Sequence, residues 1–395
     1  MTNTTTSSDA SPRAPREPAT VTAERMPERS ARAMHDILAG LTRLPHRGSA
    51  TIHEAEARDQ VARLLEAGGH AVTRQPFTSP LTYGWELLVI SLVIAVGGLA
   101  ASPWLALLGL AGLWTYFSGW TIPWRRLVDR HPSENLLARV GTGPKTLVLM
   151  AHLDSAKSFF VYHPKQVKGF RRSFLITITL AVLTVPTALL FPLGARVLGV
   201  YFLVYALLLV HREVTARHVN GANDNASGVA VGTQLFLDLG ERLAPDWNVM
   251  LAITGCEEVG AKGATALARA GLIPRDALVL NLDNVGRGDL HYAKGEGMLG
   301  YYPFRGRLLD AARALPGAES LAYRLAYFDT LPFVRAGYEC LTLIRLEDGL
   351  PPHWHWPSDT SEHVDPAALD DTYRYVWELV TYVGAVSEVV DVEAA

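Results

Sequence analysis

Two long apolar stretches constrain the fold of this chain more than any other feature. Residues 86–122, ELLVISLVIAVGGLAASPWLALLGLAGLWTYFSGWTI, carry no charge after Glu86 until Arg125, and residues 174–210, FLITITLAVLTVPTALLFPLGARVLGVYFLVYALLLV, carry only Arg196. The first breaks near Ala101-Ser102-Pro103 into spans of roughly 16 and 20 residues, close to what the hydrocarbon core of a bilayer requires. The second breaks around residues 191–196. Trp85, Trp104, Trp120 and Trp124 fall near span ends, as an interfacial aromatic belt would place them. The pattern predicts four transmembrane helices in two hairpins, at 84–123 and 173–211. Pro186 and the shorter third and fourth spans keep a pair of buried core helices open as the alternative.

Two hairpins leave both chain ends and the segment between them on one side of the bilayer. Arg125, Arg126, Arg130, Lys165, Lys168, Arg171, Arg172, Arg212 and Arg217 all flank the spans on that side, whereas the opposite loops hold Arg196 alone. Lysine and arginine near span ends favour the cytoplasm. The expectation is an integral membrane protein with a cytoplasmic polar domain.

The remainder of the 395 residues is long enough for a sizeable core. Residues 1–28, rich in Thr, Ser, Ala and Pro, read as a disordered polar tail without a secretory signal pattern. Cys256 and Cys340 form no metal-spaced or disulfide framework and fit a reducing compartment. A formal charge of −3 without a basic block argues against a nucleic-acid partner.

Around the hairpins the chain alternates helix and strand patterns. Residues 29–44 and 51–67 have amphipathic helical spacing, and HAVTRQPF alternates like a strand. NLLARV, the turn at 141–144 and TLVLMAHLD read as a hairpin entering a central strand. SGVAVGTQLFLDLGERL and AKGATALARAGL read as helices, NVMLAIT and ALVLNLDNV as buried strands. This predicts an α/β fold with a mixed, mainly parallel central sheet covered by helices on both faces. The polar domain is expected in three pieces, 29–83, 124–172 and 212–390, separated by the hairpins.

Ligand groups in such folds collect at the carboxyl ends of strands. His152 and Asp154 follow TLVLM, Glu257 and Glu258 follow NVMLAIT, and Asp283 follows ALVLN. Asp224 precedes a helix, and PPHWHWPSDTSEH brings His353, His355, Asp359 and His363. Alone, each aspartate could cap a turn and each histidine could be ordinary surface or core. Together they offer the oxygen and imidazole donors of a hydrolytic metal site, with a carboxylate to bridge two metals and another to move protons.

At this point the sequence resembles the M28 family of zinc peptidases. The matching motifs are AHLDS, GANDNASGVA, CEEVGAKGA, LNLDNVG and HWPSDT, in the family's order over residues 152–360. FDTLPFVRAG is similar to a further family segment, with Phe328-Asp329-Thr330 in place of the usual Ser-Asp-His.

The resemblance implies a zinc-exopeptidase fold holding two Zn2+ ions, with His152 and Asp283 on one, Glu258 and His355 on the other, and Asp224 bridging. Asp154 would orient His152, and Glu257 would be the general base for a zinc-activated water. Trp354 departs from the Tyr that characterised aminopeptidases often carry before that histidine, where the phenol helps stabilise the oxyanion. The expected activity is hydrolysis of peptide substrates, first as an aminopeptidase. A one-zinc glutaminyl-cyclase-like acyltransferase and an inactive membrane scaffold are the rival readings.

Overall fold

The computed structural model describes residues 27–120, 130–243 and 246–394. The expected tail up to residue 26, together with Trp124, Arg125 and Arg126, lies outside the described residues.

The strands, in chain order, are β1 (Val72–Ser79), β2 (His131–Val140), β3 (Lys145–His152), β4 (Trp247–Thr254), β5 (Leu278–Leu282), β6 (Asp289–Ala293), β7 (Gly295–Glu296), β8 (Tyr302–Pro303), β9 (Glu319–Leu321) and β10 (Glu339–Leu346). The helices are α1 (Glu28–Thr42), α2 (Ile52–Ala67), α3 (Gly84–Leu99), α4 (Pro103–Phe117), α5 (Phe170–Leu190), α6 (Pro192–Thr215), α7 (Gly228–Leu243), α8 (Lys262–Ala270), α9 (Arg307–Ala314), α10 (Leu331–Arg335) and α11 (Pro366–Ala394).

One mixed sheet has the order β1-β2-β4-β3-β5-β10-β6-β9, and β7 pairs with β8 apart from it. The central strands β4, β3, β5 and β10 are parallel, while β2 and β6 join that core antiparallel. Every residue of β5, and all but the first of β3, is buried, as expected for strands covered on both faces. Parallel alignment gathers the carboxyl ends of β3, β4 and β5 along one edge. His152, Thr254 and Leu282 mark that edge.

One local expectation fails. β2 and β3 follow each other through the turn at 141–144 but do not form a hairpin, because β4 lies between them and pairs with both. Val148, Leu149 and Met150 are fully buried, in keeping with an interior place in the sheet between β4 and β5.

Local signals set the helix limits. The Thr51 side chain accepts from the backbone N–H of Glu54 to start α2. In α1, Met34, Ile37, Leu38 and Leu41 are buried at helical spacing.

The inserted segments fold as helical pairs, α3–α4 and α5–α6, but they are not four equal spans. The helical segments Val167–Leu190 and Pro192–Thr215 are each 24 residues long, enough to cross a bilayer by length and composition. α3 and α4 have only 16 and 15 residues, so the expectation of four spanning helices reduces to two. Ala101 takes a left-handed conformation (φ 48°) and Ser102 caps the next helix, which ends α3 early. Beyond α4 the chain is held by the polar domain. Tyr302 Oη donates to the Ser118 carbonyl, Arg335 donates to the Gly119 carbonyl, and the Arg335 guanidinium lies 4.8 Å from the Trp120 ring.

The two pairs pack as one bundle through α3 and α6. A Cβ on Gly199 would lie 2.6 Å from the Leu99 backbone nitrogen, and one on Gly98 would lie 2.6 Å from the Ala195 carbonyl oxygen. These backbones touch because small residues line the contact. Each insertion also leaves and rejoins the polar domain at paired residues: Ser79 faces His131 in the β1–β2 ladder, and Lys157 bridges His218.

Replacing Gly199 with Leu should separate α3 from α6 and cost about 1–3 kcal/mol. Thermal unfolding of the detergent-purified variant would show this as a midpoint several degrees lower, and an unchanged midpoint would contradict the close contact.

Candidate metal centre

The strand edge brings five of the selected side chains into one cluster. His152 Nε2 lies 3.2 Å from Asp224 Oδ1 and 3.6 Å from Asp283 Oδ1. His355 Nε2 lies 3.2 Å from Asp224 Oδ2 and 3.0 Å from Glu258 Oε2. Two donor groups result, His152–Asp224–Asp283 and Asp224–Glu258–His355, each with its ligand atoms within 4.8 Å of one another. Asp224 belongs to both and offers one oxygen to each side. His353 and His363 lie elsewhere: their rings are 4.3 Å apart, and His353 Nδ1 is 2.7 Å from Ser358 Oγ.

Asp154 sits behind this cluster, fully buried, and does more than face His152. Its Oδ1 is 3.6 Å from His152 Nδ1, which also lies 3.1 Å from the Asp154 backbone carbonyl. The same carboxylate accepts the backbone N–H of Glu257 at 2.8 Å, that of Glu258 at 3.1 Å, and the Ser49 hydroxyl at 2.6 Å. One side chain at the end of β3 therefore sets the turn after β4.

A second buried carboxylate, Glu54, accepts the Cys256 N–H at 2.9 Å and the Ser133 hydroxyl at 2.7 Å. It braces the start of that turn, where Cys256 has a φ of 57°.

The loop carrying Asp224 is fixed in the same manner. Asp359 accepts the N–H of Asn223 at 2.7 Å and of Asp224 at 3.1 Å. Asn225 donates to the Leu282 carbonyl, and its Oδ1 accepts from Gly228 at the start of α7 and from Asn284. Asn223 accepts from Gly286. The asparagines of GANDNASG thus tie the loop to the end of β5. His355 has a φ of 51°, an uncommon conformation for a residue with a side chain.

The electrostatics are those of a site built around cations. Burial alone would lower the His152 imidazole, yet hydrogen bonds to Asp154, Asp224 and Asp283 raise it well above its usual value. Burial likewise opposes the His355 imidazolium, but Glu258 and Asp224 lift it to about 10. Burial pushes Glu258 up to about 7 despite His355. Burial, with repulsion from Glu258, Asp329 and Asp283 outweighing His152, pushes Glu257 well above the carboxylate range.

Glu258 Oε1 and Asp329 Oδ1 are buried without hydrogen-bond partners. Mixed imidazole and carboxylate donors, a shared aspartate and an orphaned carboxylate oxygen all fit hard or borderline divalent cations.

Residues 135–380 match Peptidase family M28. The chain belongs to that family. It is thereby a zinc-dependent peptidase, and the donor set accords with zinc. No curated protein sequence matches the chain. Among solved structures, BSAP, a zinc aminopeptidase from Bacillus subtilis, superposes with TM-score 0.55 at 14% identity, covering 89% of this chain and 94% of that one. A glutaminyl cyclase from Bacteroides thetaiotaomicron gives 0.53 at 15%, covering 88% and 96%. A Zn-dependent exopeptidase from Parabacteroides distasonis gives 0.53 at 14%, covering 89% and 97%. At these identities the likeness speaks to the fold.

Several participants of this M28 site have no strand-end signal in the sequence. Arg47 is fully buried and spans the Leu153, Asn220 and Gly221 carbonyls at 2.6–2.8 Å. It is a fixed cation under Asp359, Asp154, Asp224 and Glu258, and burial lowers it to about 10. The Tyr162 ring lies 4.5 Å from that of His355 and 5.0 Å from that of Trp354. Tyr162 and the buried Tyr323 both line the cavity of about 470 Å3 that opens over the cluster. Burial raises both phenols, so they stay protonated as hydrogen-bond donors.

Two outcomes test these supports. Asp359→Ala should free the Asp224 loop and weaken zinc affinity by about 10–100-fold, measurable by competition with a chromophoric chelator. Glu296, buried on β7, accepts from Phe328 N–H and from the Thr330 hydroxyl beside Asp329, and burial raises it to about 8. The native state keeps its proton while the unfolded chain releases it near its usual 4.5, so Glu296 erodes stability progressively as pH rises from about 4.5 to 8. The melting midpoint of Glu296→Gln should therefore gain on wild type across that window and hold its advantage above it. A pH-independent difference would refute this.

Proposed function

We propose that the protein is a two-zinc aminopeptidase of membranes, with His152 and Asp283 holding one ion, Glu258 and His355 the other, and Asp224 bridging. The observation that carries the choice of exopeptidase is the lack, among the described residues, of a cationic side chain in the cavity. Its lining includes Asp224, Glu257, Glu258 and Asp283 but, among the described residues, no lysine or arginine. No side chain there would pair with the terminal carboxylate of a carboxypeptidase substrate. The sharing of Asp224 by two donor groups supports two ions over the one of a cyclase-type site.

Bound zinc would supply Lewis acidity toward the scissile carbonyl and acidify a water. Glu257 lines the cavity, and its backbone N–H is held by Asp154. It takes the proton of the attacking water and passes it to the departing amine. Asp154 keeps the His152 ring and both glutamates in register, while Arg47 offsets the carboxylates that surround them. Tyr162 and Tyr323 offer the phenolic donors that Trp354 does not.

The membrane reading is supported by the outer faces of the bundle. Val89 and Val96 on α3, Leu183 and Leu190 on α5, and Val200 and Leu207 on α6 are 45–79% exposed. Large apolar side chains exposed on three packed helices are what a lipid-facing surface would present. Lys168, Arg171, Arg172 and Arg212 stand at the domain ends of α5 and α6, whereas Arg196 stands at the far end. This asymmetry favours a cytoplasmic catalytic domain.

Glu257→Gln should retain two zinc equivalents by elemental analysis and lose roughly 10^2–10^4-fold in kcat on aminoacyl anilides. Asp224→Ala should lose most of both ions. A fully active Glu257→Gln would overturn the role of the general base, and a single zinc in wild type would favour cyclase chemistry.

A further inference from the structure

The cavity over the metal cluster does not stop at the surface of the catalytic domain. Past Phe159 and Tyr162 its wall is built by all four inserted helices, through residues such as Ser91, Leu113, Phe174 and Phe202. The shape follows from α5. Its buried residues are Ala181, Thr184 and Ala188, all in the half far from the domain, where small side chains let it close on the bundle. From 170 to 180 none of its residues is buried. That half meets α4 and α6 through longer side chains, with the Phe174 ring 4.7 Å from that of Phe117 and Thr177 Oγ1 2.8 Å from Tyr201 Oη, and side chains of the same half line the cavity.

Three residues lining it, Ile176 on α5 and Val204 and Leu208 on α6, are also 37–50% exposed. The cavity therefore reaches the apolar exterior sideways, between α5 and α6.

The charged and imidazole groups of this cavity all belong to the metal cluster; the part between the helices is lined by aliphatic, aromatic and hydroxyl side chains. Some of those hydroxyls already have partners: Ser91 donates to the Leu87 carbonyl at 2.7 Å, and Thr177 Oγ1 lies 2.8 Å from Tyr201 Oη. A polar side chain placed there would lose its water without replacement. An alkyl chain would lose nothing. A volume of about 470 Å3 lies in the range that takes a small amphiphile.

We infer that the substrate is a single-chain amphiphile, an amino-terminal residue carrying a long alkyl group, whose amine and scissile amide lie at the acidic cluster while the alkyl chain occupies the cavity between the helices. It enters through the α5–α6 opening from the lipid phase. The reaction remains amide hydrolysis: the C–N bond breaks, the water oxygen joins the acyl carbon, and the proton held by Glu257 leaves on the amine. The inference rests on the aminopeptidase reading and names the group that this site selects.

The test uses the full-length zinc-loaded enzyme in amphipol, with 2-amino-n-alkanoyl p-nitroanilides whose side chains run from two to eight carbons. kcat/KM should rise roughly fourfold per methylene until the cavity is filled. Ser91→Trp, or Ser91→Leu if the larger residue does not fold, should make that rise stop at a shorter chain. A probe ending in a photoreactive diazirine should label peptides from 84–117 and 170–215, read by mass spectrometry.

A flat series with short anilides still cleaved would overturn the alkyl site and leave the peptidase reading intact. If no anilide is cleaved, the aminopeptidase reading fails, and calorimetry with n-alkyl hydroxamates decides the site separately. Affinity that grows with chain length sustains the alkyl site, and affinity independent of length overturns it. Labelling confined to the polar domain would do the same.

Discussion

The carboxylate of Asp154 is the interaction on which the catalytic edge depends. It stands at the end of β3, yet its acceptor oxygens hold the backbone of the turn after β4, so the two strand ends cannot shift independently. Two adjacent glutamates would otherwise repel each other and turn toward solvent. Fixing their amides costs the carboxylate little, because charge-assisted bonds from backbone N–H groups are strong. The same logic repeats one loop away, where Asp359 holds the amide of Asp224. The positions of the donors are thus set by buried anions, and the buried Arg47 offsets part of their charge. Removing that cation would leave a cluster of desolvated carboxylates, a situation that typically costs about 3–5 kcal/mol.

Much of this was legible in the sequence because it is local. Strand ends announce themselves by apolar runs that stop at charged residues, and parallel alignment then collects those residues without further information. His152, Glu258 and Asp283 stand out on that basis, whereas Asp224 precedes a helix and His355 is picked out by the family motif HWPSD; all five lie in one cluster. Pairing was less legible. The turn at 141–144 suggests a hairpin, but the sheet places β4 between its two arms, because strand partners are set by the folded topology and not by adjacency in the chain. Arg47, Tyr162 and Tyr323 carry no local signal, because their partners lie far along the chain and only the folded topology brings them to the site.

The inserted helices illustrate a different limit. Composition marked them plainly, but the break at Ala101 and the anchoring of Ser118 and Gly119 to the polar domain shorten α3 and α4, and neither effect is visible in hydropathy. Their close contact with α6 at Gly98 and Gly199 explains why glycine occurs there despite its poor helix propensity.

The insertion points carry a consequence for the architecture as a whole. Ser79 and His131 are ladder partners, and Lys157 and His218 form a bridge, so each apolar excursion begins and ends at the same place on the catalytic domain. Closing the chain across such a pair needs no more than a tight turn, and the strain of doing so is small. The peptidase fold is therefore topologically indifferent to the bundle: its strand order and donor set are defined on either side of each excursion. The helical bundle is a module joined to this fold at two seams, and the second excursion brings with it Tyr162, whose ring packs on His355 at the site.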